Sequence, residues 1–107
     1  MKSINVSTVN KELMSFNILE VAVGTNAPQG GDSGHGGRTV FRLEDQASTA
    51  WSLYVSPEYG DKIVVEQPKS IEIVLGGDSE AHTFIEALEF AAQELRRQLN
   101  SNSKTSV

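Results

Sequence analysis

The chain has 107 residues, a formal charge of −5 and no cysteine. That length holds one small acidic globular domain and leaves no room for two. Its 9 basic residues are scattered among 14 acidic ones, which excludes the clustered cationic surface of a general nucleic-acid binder. Disulfides, thiolate zinc sites and thiol catalysis are excluded with the cysteines.

Residues 1–15 read as an N-terminal arm or an edge strand carrying Ile4, Val6 and Val9. Met1 to Asn10 has no apolar signal core, and no stretch reaches the roughly 18 apolar residues of a membrane span. A cytoplasmic protein without a membrane partner is therefore expected. From Phe16 to Val23, Leu19, Val21 and Val23 alternate against Phe16 and Ile18, the period of a strand. The same alternation recurs at Thr39–Glu44, at Ala50–Ser56 around Trp51, Leu53 and Val55, and at Ile71–Leu75, while the short β-branched run Ile63–Glu66 reads as a further strand.

At Ala81 the period lengthens. Ala81, Phe84, Ile85, Leu88, Ala91, Ala92, Leu95 and Leu99 form one helical stripe. Asp78 or Ser79 is placed to cap its first amides, and Arg96 and Arg97 suit its negative end. The polar run 100–107 reads as a disordered tail. The order β-β-β-β-β-α, with no linker long enough for a crossover helix, predicts an α+β domain over 16–99. It is a mainly antiparallel sheet of about five strands with one C-terminal helix packed on one face.

One segment departs from these patterns. Gly24 to Arg38 holds six of the nine glycines. A connection this long in a compact domain is functional or disordered, a flexible hairpin loop being the plain alternative. Glycines let backbone N–H groups approach a ligand and form anion-binding nests, and the Arg38 fork suits phosphate or carboxylate. Named phosphate motifs do not fit. There is no Walker lysine, and a strand rather than a helix follows the glycines. Gly31-Asp32-Ser33-Gly34 echoes a serine-protease nucleophile, but no histidine precedes Ser33 as that chain order requires.

Direction reverses at each antiparallel connection. This expectation brings the glycine segment, the Ser56–Lys62 loop, the Gly76–Ser79 turn and the helix N-terminus to one rim. The expected ligand-binding set is Thr25, Asn26, Gly30, Gly31, Asp32, Ser33, His35, Gly36, Gly37, Arg38, Tyr59, Ser79 and His82. Backbone amides and Arg38 would hold phosphate. Thr25, Asn26 and Ser33 would orient the ligand, and Tyr59 would stack on a base. Each has a plainer reading: His35 and Tyr59 as turn residues, His82 as a boundary residue of the stripe. Phe90 lies opposite the stripe and is a candidate contact in a homo-oligomer.

The run Gly24-Thr25-Asn26-Ala27-Pro28-Gln29-Gly30-Gly31-Asp32-Ser33-Gly34-His35-Gly36-Gly37-Arg38-Thr39, with Ile73-Val74-Leu75-Gly76-Gly77-Asp78-Ser79-Glu80-Ala81 before a helix, resembles segments of small uncharacterised phage and bacterial proteins. The resemblance spans about residues 16–99 and carries over no catalytic residue. Its context implies action by binding, as in inhibitors or sponges for nucleotide signals.

The leading expectation is a module that binds a phosphate-bearing small molecule, a nucleotide among the candidates, and forms a homo-oligomer, with no cofactor. A protein-interaction or inhibitor module using a sheet edge or the Phe90 face is the alternative. A metal-dependent hydrolase built on Asp32, His35, Asp78 and His82 is a third, lacking both metal-ligand spacing and a nucleophile–base pair.

Overall fold

A computed structural model describes residues 6–26 and 37–105. The protein is α+β, with six antiparallel strands in two sheets and one C-terminal helix. The strands are β1 (Val9–Met14), β2 (Ile18–Thr25), β3 (Arg38–Ala47), β4 (Ser52–Val55), β5 (Ile63–Glu66) and β6 (Ser70–Gly76), and the helix is α1 (Asp78–Thr105). The main sheet runs β1-β2-β3-β6, and β4 and β5 pair only with each other.

The period-two residues set the faces. Val21 opposes Leu43, Val23 opposes Phe41, and Phe41 opposes Ile73. Directly opposed residues share a face, so Val21, Val23, Phe41, Leu43 and Ile73 form one apolar patch across β2, β3 and β6. The helix lands there, with the Phe84 ring edge-on to Phe41 at 5.6 Å between centroids. On the other side Ala22 and Val40 are the most buried apolar residues. Ala22 lies in register with Arg42 and Glu72, whose side chains form an ion pair at 3.6 Å. At Gly24 the preceding chain crosses so closely that a Cβ would collide with the carbonyl oxygen of Ser7.

Of the two readings of residues 1–15, the edge strand holds for Val9–Met14, which is β1, paired along its length with β2. Other expectations need correction. Phe16 is not part of β2; it sits fully exposed in the turn where Ser15 N–H bonds the Asn17 carbonyl. The expected disordered tail over 100–107 is helical through Thr105. No Gly or Pro interrupts it, and each added helical residue forms a bond once the helix is nucleated. Nor does the helix lay its whole stripe on the sheet. Among the described elements it contacts β3 and β6 only, and Leu95 and Leu99 stay 57% and 67% exposed.

The β4–β5 hairpin inserts between β3 and β6 at the Ala47 end, stands clear of every other described element and is anchored by a polar knot. Thr49 is buried. Its hydroxyl accepts from Asn17 Nδ2 at 2.9 Å, its amide donates to Asp45 Oδ1 at 3.1 Å, and its carbonyl accepts from Gln67 Nε2. Trp51 Nε1 donates to the Pro68 carbonyl at 2.7 Å. Ser48 and Gln67 adopt left-handed backbone, φ 62° and 53°, where the chain enters and leaves the arm.

Candidate functional site

Strands β2 and β3 deliver the two ends of the glycine segment to one point. Asn26 N–H donates to the Arg38 carbonyl at 3.1 Å, and Arg38 N–H donates to Asn26 Oδ1 at 2.7 Å. Below that clasp the Thr25 and Thr39 hydroxyls share a hydrogen bond of 2.8 Å, and Thr25 also reaches the Arg38 carbonyl at 3.3 Å. Asn26 therefore ties the two ends together, a structural task in addition to any contact with a ligand.

The same point adjoins the helix. Arg38 is in register with Gly76. Gly77 N–H donates to the buried Gly37 carbonyl at 2.9 Å. Gly77 has φ 124°, a conformation that side chains rarely adopt. Its carbonyl accepts from Ala81 N–H at 3.3 Å, so Gly77 occupies the N-cap. This corrects the expectation that Asp78 or Ser79 caps the helix. The Arg38 guanidinium lies over Gly76, its Nη1 3.4 Å from where a Cβ would stand, and donates to the Gly37 carbonyl at 2.9 Å.

Asp78, expected as a helix cap and as one member of the metal-hydrolase set, has neither role among the described residues. With the cap taken by Gly77, Asp78 Oδ1 is buried at the helix start without a hydrogen-bond partner among the described residues. The displaced cap was not legible, because a serine or aspartate at this spacing ordinarily outcompetes glycine.

Of the expected site residues, Thr25, Asn26, Gly37, Arg38 and Ser79 come together at the base of the segment and the first helical turn. His82 lies one turn further along, exposed. Tyr59 does not join them. It sits 85% exposed in the β4–β5 turn, and that hairpin springs from the Ala47–Ser70 end of the sheet, opposite the Arg38–Gly76 end. The expected same-end placement assumed that all strands belong to one up-and-down sheet. A separate two-stranded sheet breaks that alternation. Gly30, Gly31, Asp32, Ser33, His35 and Gly36 lie outside the described residues. So do two members of the metal hypothesis, Asp32 and His35. Among the described residues no three His, Asp or Glu side chains gather as metal ligands would, and no helix is long and apolar enough to cross a membrane.

No family model, curated protein or solved structure matches the chain.

Proposed function

We propose that the protein is a small-molecule-binding module that holds a phosphate-bearing ligand, with nucleotides the leading class, on the glycine-rich segment between Thr25 and Arg38. The observation that carries this reading is the Gly77–Gly37 hydrogen bond, which ties the end of that segment to the helix N-terminus. A helix start leaves its first amides without intrahelical partners and carries partial positive charge. Arg38 adds a full charge beside it. Asp78 Oδ1, buried and unpartnered, is suited to accept from a ligand N–H or O–H, as a base or sugar offers. Such a protein would sequester a nucleotide signal without altering it.

A thermal-shift series with inorganic phosphate and with mono-, di- and cyclic nucleotides tests the reading. A ligand at a hundred times its Kd adds about 2.7 kcal/mol, a rise of several degrees in Tm for a domain of this size. At least one nucleotide should give that rise, and Arg38→Ala should abolish it. A flat response to every compound would end the proposal.

A second reading, a protein-interaction module, draws support from exposed apolar surface. Phe90 is 69% exposed beside Gln93 and Glu94, and β1 offers a free sheet edge. Under it, deletion of residues 30–36 would leave partner binding intact.

A further inference from the structure

The helix stripe has a finer period than amphipathicity requires. Ala81, Ile85, Leu88, Ala92, Leu95 and Leu99 are separated by alternating steps of four and three residues, the spacing of a coiled-coil seam. The sheet covers only its start. Ala81 is buried, but Ile85, Leu88, Leu95 and Leu99 are all exposed large apolar residues. The chain exposes 8349 Å², roughly 2,500 Å² more than a compact monomer of its mass. A standard interface buries about 800 Å² per partner, and obligate dimers bury more. The radius of gyration is 16.6 Å, against about 13 Å for a compact chain of this length.

We propose that a second copy of this chain covers the seam, forming an antiparallel helix pair about a two-fold axis that passes between Gln93 and Glu94. In that register Leu88 meets Leu99 of the partner subunit, Ala92 meets the partner's Leu95, and the reciprocal contacts repeat them. Large residues thus face small ones in the two central layers. The flanking charges select the direction. Glu89 and Arg96 lie seven residues apart on one flank of the seam. Antiparallel pairing sets Glu89 against the partner's Arg96 twice. Parallel pairing would instead oppose Glu89 to the partner's Phe84 and Arg96 to the partner's Ala91, with no ion pair. The partner's Leu99 then lies beside Leu88, which with Ile85, Val23 and Thr25 lines an open groove between helix and sheet. Pairing through the β1 edge is the poorer solution. A two-fold axis at the middle of β1 that preserves the sheet faces brings Lys11 to Lys11 of the partner subunit or Glu12 to the partner's Glu12, and any other centre shortens the pairing.

Sedimentation equilibrium of the full chain decides the matter. The wild type should sediment as a dimer at micromolar concentration, and Leu95→Asp with Leu99→Asp should sediment as a monomer. Glu89→Arg and Arg96→Glu should each weaken association about tenfold or more, and the two together should restore it. The charge variants keep the test valid should the double Leu variant fail to fold, because these side chains sit outside the apolar seam. A monomeric wild type, an unchanged mass on removing Leu95 and Leu99, or a double reversal no better than its parts would overturn the proposal. It stands apart from the ligand reading, since a dimer indifferent to nucleotides, or a nucleotide-binding monomer, would separate the two.

Discussion

Gly24 is the position where the fold depends most directly on a missing atom. Any Cβ meets main chain at Ser7 and Thr8 rather than a side chain that can swing away. Gly24→Ala should therefore lower unfolding stability by about 1–3 kcal/mol, the cost typical of overpacking, as read from the urea midpoint at unchanged m-value. Thr49→Val tests the knot beneath the hairpin. It keeps the shape but removes the hydroxyl that half-buried Asn17 uses, and a loss of about 1 kcal/mol is expected, the net worth of one hydrogen bond. Glu94 offers a spectroscopic check. The Arg97 guanidinium first, and the Gln98 amide second, hold its carboxyl below the usual glutamate range. A depressed carboxyl contributes at neutral pH, and the contribution is lost as pH falls through the folded value. In an NMR titration Glu94 should protonate at lower pH than a free glutamate, and Arg97→Ala should move it back up.

At the scale of elements, the central strands were legible because burial of one face imposes strict alternation. Leu19, Val21 and Val23 announce β2, and Ile71, Ile73 and Leu75 announce β6. Strand β1 was harder to read, since its sequence VNKELM has exposed residues throughout and little alternation to detect. The helix was evident from Ala81 onward, but its far end was not. Asn, Ser and Lys residues signal a tail by composition, whereas the backbone continues while nothing interrupts it. The site was legible in part. The glycines and Arg38 mark the segment, but pairing between Asn26 and Arg38 and the N-cap at Gly77 depend on how β2, β3 and β6 meet. Because Gly77 has positive φ, Gly77→Ala should fray the first helical turn. It should cost about 1 kcal/mol or more, visible as a lower Tm and as faster amide exchange at Ala81.

At the scale of the molecule, 107 residues extend over 56 × 31 × 27 Å. That is too elongated for the single packed core that length and composition suggest. Among the described elements, a helix in contact with two strands and a hairpin in contact with no other element leave apolar side chains to be covered from outside. If association covers them, Tm should rise with protein concentration, as linkage between folding and assembly requires. The insertion of the arm has a separate consequence. Glu44 and Ser70 are already paired neighbours on β3 and β6, so the main sheet closes without residues 48–69. That stretch behaves as a cassette. Splicing a short Asn-Gly connector in its place, or grafting a foreign peptide at Tyr59, would leave the clasp at Asn26 and Arg38 untouched at the opposite end.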